Sequence, residues 1–219
     1  MSRARVLLAD DHTIFLDALT KLLEPEFEVV GTVNDGRALV SQAPDLRPDV
    51  VVLDIGMPLL NGLDAGQQVK ELRPETRLIF LTQNQDANVA AEAFRRKASG
   101  YLLKNSAATE LITAIREALK GRTYVSPLIA EGMLSSISDP ARVERRVELT
   151  SRQREVLQLL SEGKSNKEIA SLLDVSARTV ETHRERIMRK LNIHSIAGLT
   201  KFAIAKNLIP LQRDLQPTL

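Results

Sequence analysis

Residues 48–62 read PDVVVLDIGMPLLNG, and this stretch decides the fold. The four apolar residues from Val50 to Leu53 predict a short strand with both faces buried, because neither face carries a polar side chain. The strand runs directly into the carboxylate of Asp54, and a proline and a glycine follow in the loop. A strand of this kind is typical of a parallel sheet, so the rest of the chain is expected to supply neighbouring strands and covering helices.

Strand and helix patterns alternate five times within about the first 120 residues. Strands are predicted at Arg5–Ala9, 27–33, 50–53, 77–81 and Gly100–Leu103, and helices at Thr13–Leu23, 37–43, 63–72, Ala87–Arg95 and Ala107–Leu119. This alternation predicts a doubly wound α/β domain of the flavodoxin-like kind, in which five parallel strands take the order 2-1-3-4-5.

Polar side chains follow four of these strands at their carboxyl ends. Asp10 and Asp11 follow the first strand, Asp54 the third, Thr82 the fourth and Lys104 the fifth. Ligands of open parallel sheets bind outside the carboxyl ends of the strands, so we expect these side chains to converge. Taken singly, each has an ordinary alternative as a helix cap or a solvated surface group.

The set of residue types favours phosphoryl transfer onto a carboxylate. Three clustered carboxylates repel one another, and a site of oxygen ligands suits Mg²⁺. A carboxylate can act as the nucleophile and form an aspartyl-phosphate, while a hydroxyl and an ammonium group hold the phosphoryl oxygens.

Composition and charge narrow the class of protein further. The 219 residues contain no cysteine, which excludes disulfides and thiolate chemistry. No apolar run approaches the roughly 20 residues of a membrane helix, and we expect a cytoplasmic protein without membrane contact. Residues 1–122 hold 15 basic and 17 acidic side chains, whereas residues 148–219 hold 12 and 8. The basic excess at the C-terminal end hints at a polyanionic partner.

The last third of the chain predicts a small all-α domain of four helices. Thr150 with Gln153 and Ser165 with Glu168 form two capping boxes, and a third helix follows a tight turn, as in a helix-turn-helix. Its residues 178–190 carry a net charge of +3, which suits a helix that enters the major groove. On charge alone, a solvated helix with Glu181–Arg184 and Glu185–Arg189 ion pairs is favoured.

Between the two predicted domains lies a polar segment with one short amphipathic helix at 128–137. We therefore divide the chain into a domain at 1–122, a linker at 123–147 and a helical domain at 148–213.

Four stretches of the first domain, ADDH (9–12), LDIGMPLLNGL (53–63), LT (81–82) and GYLLKNSA (100–107), resemble the receiver domains of bacterial two-component response regulators. Residues 149–191, LTSRQREVLQLLSEGKSNKEIASLLDVSARTVETHRERIMRKL, resemble the LuxR-type DNA-binding domain. Together the chain resembles the NarL/FixJ class of transcriptional regulators. The chain departs from common receivers at two places. Asn105 follows Lys104 where many receivers have a proline, and Gln83 and Asn84 follow Thr82 where a small residue is often found.

The resemblance implies a role for Tyr101 and for each of the polar residues at the carboxyl edge of the sheet, which we call the rim. Asp54 would accept a phosphoryl group from a sensor histidine kinase, and Thr82, Tyr101 and Lys104 would bind that group or respond to it. Mg²⁺ would be held by Asp10, Asp11, Asp54 and the backbone carbonyl of Gly56.

The resemblance also implies a homodimer that binds promoter double-stranded DNA when active. Matched by position, the DNA-contacting residues would be Lys167, Arg178, Thr179, Glu181, Thr182, Arg184, Glu185, Arg186 and Lys190.

Three other functions are weighed against this one. The acidic rim also suits an Mg²⁺-dependent phosphatase, although no second acid is evident after Asp54 and Gly56 stands there instead. A LuxR-type regulator that senses a small ligand would need an aromatic-lined pocket, and the chain has only five Phe, two Tyr and no Trp. In the third alternative, the chain binds DNA and its receiver domain works without phosphorylation.

Overall fold

The computed structural model describes residues 3–83, 86–137 and 149–209, without the side chains of 133–137. It divides into two compact units, Met1–Arg146 and Val147–Leu219. Most of the polar tether of the predicted linker, and Asn84, lie outside the described residues. The exact domain limits of 122, 147 and 213 stay predictions.

The first unit alternates strands and helices along the chain. The strands are β1 (Arg5–Ala9), β2 (Glu28–Val33), β3 (Val50–Asp54), β4 (Arg77–Thr82), β5 (Gly100–Leu103) and β6 (Tyr124–Val125). The helices are α1 (Thr13–Leu23), α2 (Gly36–Leu46), α3 (Gly62–Leu72), α4 (Ala87–Arg95), α5 (Ala107–Leu119) and α6 (Pro127–Ile137). A 3-10 turn, Lys104–Ser106, joins β5 to α5.

The strands form one parallel sheet in the order β2-β1-β3-β4-β5-β6. The predicted order of the first five strands is confirmed, but the predicted count of five is wrong by one. The sixth strand, β6, has only two residues, too few to show the alternation by which a strand is recognised in sequence. It extends the sheet beside β5 and leads directly into α6.

The central strand β3 is buried at all five positions, as its apolar sequence predicts. It lies between β1 and β4, with Ala9 opposite Leu53 and Leu81 opposite Asp54. One apolar core fills each face of the sheet, and residues of β3 alternate between the two cores. The register therefore brings the ends of β1, β3 and β4 to one edge.

The edge of the sheet is fixed by close backbone packing. Gly62 begins α3, and its amide donates to the carbonyl of Ile55 at 2.9 Å. A Cβ at Gly62 would lie 1.9 Å from the carbonyl oxygen of Asp54, so only glycine fits. The α3 helix is also tied to α4, because Arg96 donates to the buried carboxylate of Asp64 at 2.8 Å.

The second unit has four helices in its described part, as predicted: α7 (Ser151–Ser161), α8 (Asn166–Leu173), α9 (Ala177–Leu191) and α10 (Ile196–Ala205). Both predicted capping boxes are present, at the starts of α7 and α8. Asp174 ends α8 in a left-handed conformation with φ of 51°, which makes the tight turn into α9. Within the described ranges of both units, no helix has the length and apolar character to cross a membrane.

Candidate functional site

Asp54 ends β3 at the carboxyl edge of the sheet and is only 7% exposed. Its Oδ1 accepts a hydrogen bond from the amide of Ile55 at 2.8 Å, and its Oδ2 lies 3.1 Å from Nζ of Lys104. A carboxylate this buried is unusual unless it is paired, and here the pairing comes from a strand two positions away in the sheet.

Lys104 opens the 3-10 turn after β5, and its ammonium group reaches across β4 to the other strands. Nζ lies 2.7 Å from Oδ2 of Asp10 as well as 3.1 Å from Asp54. The same Nζ lies 5.3 Å from the centre of the Phe15 ring, within range of a cation–π contact. The lysine thus bridges carboxylates from β1 and β3.

Two exposed groups lie beside the buried Asp10. His12 Nδ1 is 3.1 Å from Oδ1 of Asp10 and 2.8 Å from Oδ1 of Asp11. These three side chains offer ligand atoms that all lie within 4.8 Å of one another. The sequence reasoning missed His12, although its position directly after two aspartates was the available signal.

The acidic groups of the rim outnumber the basic ones. Burial raises the pKa of the Asp54 carboxyl, Asp10 adds to this, and the charge of Lys104 opposes it. Burial lowers the pKa of Lys104, but the attraction of Asp54 and Asp10 outweighs it and the net shift is upward. One firmly charged lysine therefore faces three carboxyl groups. A hard divalent cation that prefers oxygen ligands, such as Mg²⁺, fits this donor set.

Thr82 and Tyr101 also lie where the sequence predicts, and both are buried. Thr82 ends β4 with 5% exposure and pairs in register with Leu103, the residue before Lys104. Tyr101 is completely buried. Burial raises the pKa of its hydroxyl, and the Thr82 side chain opposes the shift.

The loops around the rim are less buried. Gly56 lies half-buried in the loop two residues after Asp54, and Gln83 is exposed directly after β4. Asn84, which departs from the small residue of common receivers, falls outside the described residues.

The second unit presents one face of α9 to solvent. Val180 and Ile187 are buried against the other helices. Most of the predicted DNA-contacting residues are exposed, and Thr182 and Arg184 are half-buried. Exposed members are Lys167, Arg178, Thr179, Glu181, Glu185, Arg186 and Lys190.

The ion pairs of the solvated-helix alternative do not form in the structure. Among the described side chains, Glu181 is not joined to Arg184, nor Glu185 to Arg189.

A groove of about 480 Å³ lies between the start of α8 and the middle of α9. It brings Lys164 and Lys167 beside Arg184, so three cations, from the loop before α8, from α8 and from α9, line one concavity. The sequence reasoning missed Lys164, because it lies in the loop before α8 and belongs to no helix face.

Comparison with known proteins identifies both units. Residues 6–116 match the family model of the response regulator receiver domain, and residues 147–203 match that of bacterial regulatory proteins of the luxR family. The oxygen regulatory protein NreC of Staphylococcus carnosus is 33% identical, with 94% of this chain and 99% of that protein covered. The transcriptional regulatory protein MctR of Rhizobium johnstonii is also 33% identical, with 94% and 96% covered.

Solved structures give the same result. The RcsB response regulator of Salmonella typhimurium is 28% identical, with a TM-score of 0.65 over 94% of this chain and 98% of that one. RcsB from Salmonella enterica serovar Typhimurium, bound to promoter rprA in the presence of the phosphomimetic BeF3⁻, is 28% identical with a TM-score of 0.57, covering 91% and 97%. The chain therefore belongs to the NarL/FixJ class of two-component response regulators, which are phosphorylation-dependent, DNA-binding regulators of transcription.

Proposed function

We propose that Asp54 is the phospho-acceptor of this cytoplasmic regulator, with a sensor histidine kinase as donor. The observation that carries the proposal is the position of the Asp54 carboxylate, which ends the central strand between Lys104 and the acidic group of β1. An oxygen of Asp54 forms the new bond to phosphorus while the bond from phosphorus to the kinase histidine breaks. The electron pair of the broken bond stays with the departing imidazole.

The neighbouring side chains suit the charge changes of this transfer. Lys104 already contacts Asp54 and follows the added phosphoryl oxygens, and Thr82 donates its hydroxyl from the adjacent strand end. Asp10, Asp11, Asp54 and the carbonyl of Gly56 hold Mg²⁺, which neutralises phosphoryl charge when bound. Tyr101 fills the space behind Thr82 and responds to its movement.

Phosphorylation then changes how the second unit meets promoter DNA. In helix-turn-helix proteins the second helix of the motif enters the major groove, here α9, and a symmetric dimer binds two half-sites. Arg178, Glu181, Thr182 and Glu185 face the bases. Backbone phosphates are held by the remaining DNA-contacting residues, namely Lys167, Thr179, Arg184, Arg186 and Lys190. A structure of the relative RcsB bound to promoter rprA in the presence of the phosphomimetic BeF3⁻ supports a link between the phosphorylated state and DNA binding.

The test is DNA binding by the full chain with and without acetyl phosphate and Mg²⁺, with intact mass and oligomeric state read on the same samples. We expect one added phosphoryl group, a shift towards dimer and tighter binding to promoter DNA. Asp54→Ala should show none of the three. Equal DNA affinity for wild type and variant under both conditions would refute the proposal, and sustained turnover of a phosphomonoester would favour the phosphatase alternative.

A further inference from the structure

Ser126 is a buried hydroxyl residue at the junction of β6 and α6, with 1% exposure. Its backbone amide donates to the carbonyl of Tyr101 at 3.0 Å, which continues the pairing of β6 with β5. Its carbonyl accepts from the amides of Ile129 and Ala130 at 3.0 and 3.1 Å, which are the first hydrogen bonds of α6. One residue therefore fixes both the edge of the sheet and the start of the last helix of this unit.

The hydroxyl of Ser126 is turned towards the Lys104 turn. It accepts from the amide of Leu103 at 3.4 Å and lies 3.4 Å from the hydroxyl of Ser106. Leu103 and Ser106 stand on either side of Lys104, Asn105 being the only other residue between them. The contacts of Ser126 therefore enclose the short turn that carries the lysine of the phosphorylation site.

Glu110 of α5 holds this hydroxyl in place. Ser126 donates to Oε2 of Glu110 at 2.5 Å, and the hydroxyl of Tyr124 donates to the same oxygen at 3.3 Å. One carboxylate oxygen thus binds the residues just before and at the start of α6. A buried serine needs only one acceptor, whereas this arrangement joins α5, β6, α6 and the Lys104 turn.

The apolar packing of α6 reinforces the connection. Ile129 is completely buried and belongs to the same core cluster as Tyr101 and Leu103. The first turn of α6 is therefore anchored in the apolar core on the same face of the sheet as these two residues of β5, and α6 is the last described helix before the chain continues to the second unit.

We propose that Ser126 and Glu110 are positioning residues that couple the Lys104 turn to α6. Movement of Lys104 towards a phosphoryl group on Asp54 changes the Ser126 contacts and so the start of α6. The coupling rests on the proposed function of Asp54 and Lys104. The coupling free energy arises if the Lys104 turn has two arrangements and both the phosphorylation site and α6 change the balance between them.

The test compares full-length wild type with Ser126→Ala, Glu110→Leu and Glu110→Gln. Each is measured with and without acetyl phosphate for phosphoryl uptake by intact mass, for amide hydrogen exchange of residues 127–137, and for promoter DNA affinity. Glutamine keeps an acceptor oxygen for both hydroxyls, so Glu110→Gln should behave as wild type. Thr109→Ala is the matched control, because it removes an exposed α5 hydroxyl that bonds to Ser106 but not to Ser126.

We expect Ser126→Ala and Glu110→Leu to take up one phosphoryl group while the response of α6 exchange is lost. The gain in DNA affinity on phosphorylation should fall by about threefold or more, the size of effect seen when coupling residues are replaced. A purely structural role would change exchange in both states and leave their difference intact. If Ser126→Ala is too unstable to assay, the comparison of Glu110→Leu with Glu110→Gln tests the coupling. A phosphorylation response of α6 that is equal in these two variants would refute it.

The outcomes separate this inference from the function on which it rests. If the wild type takes up a phosphoryl group and binds DNA more tightly, and the variants respond to the same extent, then the coupling alone is refuted. Wild type that takes up no phosphoryl group overturns the proposed function as well, and the mass measurement identifies that case.

Discussion

Replacing Gly62 with alanine is expected to destabilise the first unit and to impair phosphorylation of Asp54 at the same time. The added Cβ would lie 1.9 Å from the carbonyl oxygen of Asp54 and 2.9 Å from Cα of Ile55. Ordinary contact begins at 3.4 Å, so the two segments must separate by about 1.5 Å at this point. The displaced segment carries Asp54, the proposed phospho-acceptor.

The magnitude follows from what the new atom meets. Overpacking typically costs about 1–3 kcal/mol, and the upper end applies because the obstacle is backbone and not a flexible side chain. Alanine in a helix recovers up to about 1 kcal/mol relative to glycine. The expected net loss is about 2 kcal/mol, out of the roughly 5–15 kcal/mol that stabilises a typical protein.

Urea unfolding followed by tyrosine emission measures this loss in the full chain. The chain has no tryptophan, and its two tyrosines, Tyr101 and Tyr124, both lie in the first unit, so the signal reports that unit. Phosphorylation is followed in parallel by the rate of mass increase with acetyl phosphate. Because a misplacement of about 1 Å can cost on the order of 100-fold in rate, we expect a decrease of at least about tenfold.

Gly132→Ala provides the matched control. Among the described atoms, a Cβ at Gly132 meets the Cβ of Ala87 at 3.8 Å and nothing closer, and the helix position favours alanine by about 0.5–1 kcal/mol. This variant should be as stable as wild type or more so, with an unchanged phosphorylation rate. A Gly62→Ala chain that unfolds at the wild-type urea concentration and is phosphorylated at the wild-type rate would show that α3 does not hold Asp54 in place.

Three further changes test other parts of the structure. Arg96→Ala should destabilise the first unit by about 3 kcal/mol in urea unfolding, because it leaves the buried Asp64 carboxylate without its cation, and an unchanged midpoint would contradict this. Burial and nearby arginines lower the pKa of His183, whose Nδ1 has no described hydrogen-bond partner. The unfolded state therefore binds more protons, and helical stability of the second unit should fall as pH drops below about 6.5, but less so in His183→Gln. Lys167→Ala should weaken binding to all DNA sequences alike and lower the salt dependence by about one phosphate contact, and a sequence-dependent loss would place Lys167 at the bases instead.

The positions of Asp10, Asp54, Thr82 and Lys104 could be predicted because each follows an apolar run, and a parallel sheet brings such ends together. The helices of the second unit could be predicted because their N-terminal caps, two of them capping boxes, are local in sequence. Contacts between side chains that are distant in the sequence could not be predicted from it. Ser126 reads in the sequence as the opening of a linker helix, and nothing near it indicates that its hydroxyl meets Glu110.

The charges at the rim and the packing of the Lys104 turn together explain why this lysine is suited to report on Asp54. When ionised, Asp10, Asp11 and Asp54 carry three negative charges, and Lys104 supplies one positive charge, which leaves an excess that a divalent cation can cancel. A phosphoryl group on Asp54 replaces the single carboxylate charge with about −1.5 to −2 charges on the phosphoryl oxygens, so the point of greatest attraction for the ammonium moves outward from the sheet. The turn that must follow is only three residues long, and Ser126 contacts it on both sides. In the proposed coupling, a shift of this turn changes the Ser126 contacts and so reaches the first turn of α6.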